Sequence, residues 1–156
     1  MSRQSTPQFT SPKGTYLPFA VAFGHACEVL VANSARSVFR LASVYSFLEP
    51  PIRLGQIRFI FNGSGTATGY VAWAFLTDEV FKEIDAGPAR TLHLGEWNEG
   101  SKLVIMDVVI NVGGAMQLLG EFREAVGGRP IWWRRHDRHN SASRERRIML
   151  RAPMKP

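Results

Sequence analysis

Lys102-Leu103-Val104-Ile105-Met106-Asp107-Val108-Val109-Ile110 is the stretch on which the fold turns. It is a run of apolar and β-branched residues with one carboxylate inside it, and it reads as a buried central strand. Gly113-Gly114 then opens a helix from Ala115 to Val126, and Gly127-Gly128 closes it. Pro130 to Arg134 reads as a further strand. A strand, a helix and a strand in this order imply a right-handed crossover and a parallel pair.

The segments upstream supply the rest of the sheet. Gly55 to Asn62 places Ile57, Phe59 and Phe61 on one face, Asn62-Gly63-Ser64-Gly65 is a turn signal, and Thr68 to Leu76 is a second strand. These two strands form a hairpin. Tyr16 to Ala32 carries Phe19, Phe23, Ala26 and Leu30 at helical spacing, and Arg36 to Leu48 carries Val38, Leu41, Ala42, Tyr45 and Leu48. Pro50-Pro51 is expected to end the second helix, because a residue before proline disfavours the helical region. Thr77 caps a short helix through Ile84, with Asp78 and Glu79 near its positive end and Gly87-Pro88 as its stop. The predicted fold class is α/β, a single domain built on a mixed sheet flanked by helices.

Composition sets the outer limits. The chain has 156 residues, 45% of them apolar, with four Trp, three Tyr and ten Phe, enough for one well-packed core. No stretch approaches the roughly 20 apolar residues of a membrane span. Met1 to Lys13 is polar with two prolines and lacks the apolar centre of a signal peptide. A flexible N-terminal arm is therefore expected over 1–15, an enzyme domain over 16–140 and a basic tail over 141–156. Cys27 stands alone, which excludes an internal disulfide and suits the cytoplasm. The net charge of +6 is concentrated in the last 30 residues, where Arg134, Arg135 and Arg138 begin an arginine-rich run. Such a run can meet nucleic acid, a membrane surface or an acidic protein.

Two residues stand out chemically. His25 is an ionisable group on an otherwise apolar helix, and Asp107 is a carboxylate inside a buried strand. Each alone has an ordinary structural explanation, a satisfied core histidine or an acid meeting an arginine. Burying either alone is costly, whereas together they could share a charge-assisted hydrogen bond. A carboxylate that fixes one imidazole tautomer is the usual way to build a general base. Cys27 is two residues from His25, but side chains at i and i+2 point apart on a helix, which argues against it as an acyl-thioester nucleophile. His93, His136 and His139 do not make a zinc-like set, so no metal is expected.

Several segments, taken in order, resemble the RTX toxin-activating lysine acyltransferases. These bacterial enzymes move a fatty acyl chain from acyl carrier protein to internal lysines of a protoxin. Gly24-His25 is similar to the family's Gly-His, which carries the catalytic histidine. Pro51-Ile52-Arg53-Leu54-Gly55-Gln56 resembles its Pro-Ile-x-x-x-Gln, and Gly69-Tyr70-Val71-Ala72-Trp73-Ala74 its Ala-Tyr-Cys-Ser-Trp-Ala strand. Trp97-Asn98-Glu99-Gly100-Ser101-Lys102-Leu103 resembles its Trp-x-x-Gly-Asp-Arg-Leu stretch. Asp107 falls on its catalytic aspartate. The similarity covers about Phe19 to Arg135. The family's Trp-rich segment after the histidine is here Ala26-Cys27-Glu28-Val29, its Pro-x-His-Arg-x-Trp is Ala35-Arg36-Ser37-Val38-Phe39-Arg40, and its Ala-Pro-Phe is Ile110-Asn111-Val112.

The resemblance implies a GNAT-like sheet and a protein-lysine acyltransferase. His25 would be the general base and Asp107 its orienting partner, by direct transfer or through an acyl-histidine. Backbone N–H groups where Lys102–Ile110 splays from Pro130–Arg134 would stabilise the oxyanion, with Asn111 lining the site. Gly113, ahead of a helix, could hold an anionic part of the donor, although a tight turn is the simpler account of it. The donor would be the phosphopantetheine thioester of acyl carrier protein, a co-substrate rather than a bound cofactor. Arg134, Arg135 and Arg138 are candidate docking residues for that acidic carrier. The resemblance also implies a homodimer. A GNAT-like N-acyltransferase using acyl-CoA on a small amine is the alternative. A basic nucleic-acid-binding module ranks below both, because aromatics interleave with charge only at Trp132 to Arg135.

Overall fold

A computed structural model describes residues 9–10, 17–86 and 90–133. Four helices and five strands run in the order β1 (Phe9–Thr10), α1 (Phe19–Ala32), α2 (Leu41–Arg53), β2 (Ile57–Phe61), β3 (Ala67–Leu76), α3 (Asp78–Ala86), β4 (Lys102–Ile110), α4 (Ala115–Ala125) and β5 (Ile131–Trp133). A 3-10 turn, Gly95–Trp97, precedes β4. The strands lie side by side as β1-β2-β3-β4-β5, antiparallel except for the parallel β4–β5 pair. The mixed sheet and its crossover helix are therefore as the sequence predicts. β3 is the middle strand and is buried on both faces along nearly its whole length.

Local chemistry explains the elements. The β2–β3 turn closes on the Asn62 side chain, whose Oδ1 accepts from the amides of Ser64 (3.1 Å) and Thr66 (2.9 Å), while Gly65 takes φ 81°. The Thr77 hydroxyl accepts from the Val80 amide at 3.2 Å and caps α3. Gly114 (φ 99°) starts α4, and Gly127 and Gly128 end it, both with positive φ. Gly100 has a different reason to be glycine: a Cβ there would overlap the Leu76 carbonyl. The buried Gln56 amide fixes the same loop. Turned so that its N–H groups face the carbonyls of Trp73 (3.2 Å) and Trp97 (3.3 Å), it ties β3 to the loop before β4.

Two expectations about the second helix are corrected. The second helix begins at Leu41 rather than Arg36, because residues 34–39 fold back as turns in which the Asn33 carbonyl accepts from the amides of Arg36 (2.8 Å) and Ser37 (2.9 Å). That helix also runs through Pro50 and Pro51 to Arg53. The missing N–H groups cost helix stability, but Pro50, Pro51 and Ile52 are all buried against the core, which offsets the loss. The predicted arm over 1–15 contains β1, which pairs Phe9 with Phe61 and Thr10 with Ile60. The tail over 141–156 lies outside the described residues.

Helices cover both faces. α4 sets Leu118, Phe122 and Val126 against Ile60, Val71, Trp73, Leu103 and Ile105. α1 and α2 set Ala22, Ala26, Val29, Leu48 and Ile52 against Phe59, Tyr70, Ala72 and Val109 on the other face.

Candidate active site

A β-bulge in β4 creates the site. Ala72 pairs with Asp107 and Trp73 with Ile105, so Met106 is an extra residue on β4. The alternation slips there. Ile105 and Val108 both pack on the α4 side, while Met106 joins a cluster with Trp97 and Leu92 on the opposite side. Met106 and Asp107 thus both face the α1–α2 side. In a regular strand carrying Met106, Asp107 would point at α4 instead.

Asp107 is 7% exposed, and both of its oxygens accept hydrogen bonds. The Arg36 guanidinium donates to both carboxylate oxygens, at 2.7 Å to Oδ1 and 3.3 Å to Oδ2, and the Tyr70 hydroxyl donates to Oδ2 at 2.6 Å. Burial first, and the adjacent Asp107 carboxylate second, push the Tyr70 phenol well above its ordinary value. Tyr70 is therefore a fixed donor rather than an acid.

His25 lies on the same face of the sheet but over a different strand. Its ring stacks edge-on to Phe61 at 4.9 Å and lies 6.0 Å from Phe59, so it sits above β2. β2 and β4 are two strand spacings apart, roughly 10 Å. The carboxylate at the His25 ring is Glu28, one helical turn on, whose Oε2 lies 3.2 Å from Nδ1. With the Nδ1 hydrogen donated to Glu28, Nε2 keeps its lone pair. The expected His25–Asp107 hydrogen bond is not made; Asp107 has Arg36 and Tyr70 instead.

The other expected residues divide. Asn111 is occupied: its Nδ2 donates to the Val29 carbonyl at 2.8 Å, and its Oδ1 accepts from Asn33 at 3.1 Å, tying the end of α1 to the end of β4. Gly113 is exposed in the turn before α4, with open space around it. Arg134, Arg135 and Arg138, like His136 and His139, lie outside the described residues. Burial pushes the Cys27 thiol up, which disfavours the thiolate a nucleophile needs. His93 uses its backbone N–H on Glu96. Among the described residues no group of three His, Cys, Asp or Glu could hold a metal ion, and no helix is long and apolar enough to cross a membrane.

Sequence reading missed Arg36 and Tyr70 as partners of Asp107. Tyr70 is two residues along β3 from Ala72, the partner of Asp107, and so lies on the same face of the sheet. Arg36 was hidden inside a predicted helix.

Space for reactants adjoins this centre. A cleft of about 490 Å³ lies between α2 and residues 90–97, with Ser43, Ser46, Arg90, Trp97 and Met106 among its walls. A smaller apolar pocket of about 200 Å³, lined by Leu30, Arg36, Phe39, Val44 and Phe47, shares Ser43 and Phe47 with it. Beyond Ile105, β4 has no β5 partner among the described residues, since pairing covers only Leu103 to Ile105. A cleft and two ionisable groups on one sheet face suit group transfer to a nucleophile.

The family model of the RTX toxin acyltransferases (HlyC) matches residues 18–150, most of the chain. The chain belongs to that family. It is an acyltransferase. No curated protein matches it. Among solved structures, one described as histone acetyltransferase HPA2 and related acetyltransferase from Corynebacterium glutamicum is similar. It is 13% identical, with a TM-score of 0.41, over 83% of this chain and 76% of that one. In this acyltransferase, Gln56, Trp97 and Gly100 support the loop that leads into β4, and Tyr70 supports the carboxylate. Three of the motifs that carry the resemblance are thus built into the frame of the site.

Proposed function

We propose that this acyltransferase moves a fatty acyl group from the thioester of acyl carrier protein to lysine side chains of an RTX-toxin-like protein. Family membership over residues 18–150 carries this reading, and the resemblance around His25 and Asp107 supports the roles given to them. The acceptor lysine first loses one proton to solvent, because only the neutral amine is nucleophilic. The amine nitrogen then attacks the thioester carbonyl. His25 Nε2 takes the proton that the new C–N bond makes acidic, and Glu28 holds the ring in that tautomer. Collapse of the tetrahedral intermediate breaks the C–S bond, and the imidazolium returns the proton to the departing sulfur. Asp107, kept in place by Arg36 and Tyr70, supplies negative charge on the same sheet face, which stabilises the imidazolium and the cationic amine. Backbone N–H groups where β4 and β5 part are the natural donors to the oxyanion. Arg134, Arg135 and Arg138 dock the acidic carrier, and the enzyme works as a cytoplasmic homodimer.

Intact-mass analysis of a lysine-bearing toxin domain tests the reading. Incubation with acyl-loaded carrier protein should add one acyl mass per modified lysine, and His25→Ala should abolish it. Transfer from acyl-CoA to a small amine, with the protein acceptor untouched, would replace this reading by the small-amine alternative. Full transfer by His25→Ala would remove the histidine from the mechanism.

A further inference from the structure

We infer that Arg36 is a positioning residue for acyl transfer, holding the Asp107 carboxylate in one plane at the wall of the apolar pocket. The inference rests on the reading above and adds a residue that the family resemblance does not supply. There the corresponding stretch reads Pro-x-His-Arg-x-Trp, and here it is Ala35-Arg36-Ser37-Val38-Phe39-Arg40.

Burial alone does not explain the arrangement. A carboxylate offers about four acceptor positions, and Tyr70 already fills one at 2.6 Å. Arg36 fills two more with a fork that contacts both oxygens, at 2.7 Å and 3.3 Å. One position remains, on Oδ1. A fork fixes the carboxylate plane, which a single donor cannot do. The guanidinium is itself confined: its carbon lies 5.5 Å from the centroid of the Phe39 ring, and its side chain is only 27% exposed. Arg36 also lines the pocket with Leu30, Val44 and Phe47, so it stands between the carboxylate and the space a reactant can enter. The α1–α2 turn that carries it is tied to β4 a second time, by Asn33 to Asn111. That second tether provides a control, since cutting it loosens the same turn without touching Asp107.

The test compares Arg36→Ala, Asn33→Ala and the full-length wild type in acyl transfer from the carrier protein. Displacing a reacting or charge-stabilising group by about 1 Å costs on the order of 100-fold. Arg36→Ala should therefore lose about 100-fold in kcat with KM within about twofold, and added methylguanidine should restore part of it. Asn33→Ala should keep its kcat. Wild-type kcat in Arg36→Ala overturns the inference, and so does a folded Arg36→Ala that methylguanidine leaves inactive. If Arg36→Ala does not fold, Arg36→Lys decides. A reduced kcat with an unchanged melting temperature supports the inference, and a wild-type kcat overturns it. A wild type that transfers no acyl group from any carrier is a different failure, because it removes the acyl-transfer reading itself.

Discussion

The two faces of the sheet are built from the same strands to different ends. Against α4, the buried core is apolar: Ile60, Val71, Trp73, Leu103 and Ile105 meet Leu118, Phe122 and Val126. Against α1 and α2, an equally buried core surrounds Tyr70 and Asp107 and reaches out to Arg36. One face holds the sheet rigid, and the other uses that rigidity to hold a charge in place. The sorting depends on one extra residue, Met106, which sends Asp107 to the face where partners wait. A buried carboxylate is tolerable only where donors are already fixed.

Moving a carboxylate to the wrong face should break this division most severely. Ile105 is 2% exposed on the α4 side. Ile105→Asp puts a charge among Leu118 and Phe122 with no donor to meet it, and also removes apolar contacts. An unpaired buried charge costs about 3–5 kcal/mol before the lost packing is counted. That is comparable with the whole stability of many domains. Thermal denaturation should show loss of the cooperative transition, or a midpoint tens of degrees lower. A variant melting within a few degrees of wild type would mean that the α4 face is not the closed apolar layer described here.

The next largest effect lies on the other face and leaves the fold alone. His25 is one-quarter exposed and packs only by its edge against Phe59 and Phe61. His25→Ala should lower kcat by about 10²–10⁴-fold, the usual contribution of a general base. The circular-dichroism spectrum and unfolding midpoint should stay close to wild type. An equal fall in stability would assign the ring to packing.

These expectations also mark how far the sequence could be read. Lys102–Ile110 is bounded correctly because β-branched apolar runs have few alternatives, and Gly114, Gly127 and Gly128 set the ends of α4 through their positive φ. The hairpin is legible for the same reason, at Asn62 and Gly65. The bulge was not legible. A strand of nine residues reads the same with or without a slipped register, so the face of Asp107 is decided by tertiary pairing alone. The end of α2 was misjudged because burial of Pro50 and Pro51 outweighed a local rule. The pairing of His25 with Asp107 was inferred from residue types, whereas the distance between them depends on which strand each overlies. Glu28, three residues from His25, was in plain view at helical spacing.

Tyr70→Phe sharpens the account of the functional face at intermediate size. Removing the hydroxyl leaves Asp107 Oδ2 with Arg36 alone, at 3.3 Å. A buried acceptor deprived of its donor costs about 1–3 kcal/mol, measurable as a lower urea midpoint. The pH dependence follows from the raised phenol. Its folded pKa exceeds its unfolded value of about 10, so its contribution is complete below pH 10 and declines as pH rises further. Wild type should lose stability in that alkaline range, and Tyr70→Phe should lack this part of the slope. Parallel slopes for the two proteins would show that the phenol titrates as if exposed.

The smallest effect comes from comparing the buried Arg36–Asp107 pair with an open one at the cleft rim. Arg90 donates to Glu96 at 2.7 and 2.9 Å and to Glu83 at 2.8 Å, and Glu96 also accepts the His93 amide at 2.7 Å. The geometry is as good as at Asp107, but water reaches these side chains. The Arg90 hydrogen bonds hold the Glu96 carboxyl down at about 2, against an ordinary value of 4.5. A depressed acid stabilises the fold above its unfolded pKa and loses that contribution as pH falls through the folded one. The window is therefore from about 4.5 down to about 2. Glu96→Gln should cost no more than about 1 kcal/mol at neutral pH, because exposed pairs are screened. Across the acid window its urea midpoint should fall less steeply than that of wild type. Because Arg90 lines the cleft, wild-type KM for the protein acceptor should also respond to high salt more than kcat does. If Glu96→Gln instead cost as much as Tyr70→Phe, the rim pair would be as protected from water as the pair at Asp107, and the contrast between an open rim and a closed centre would be lost.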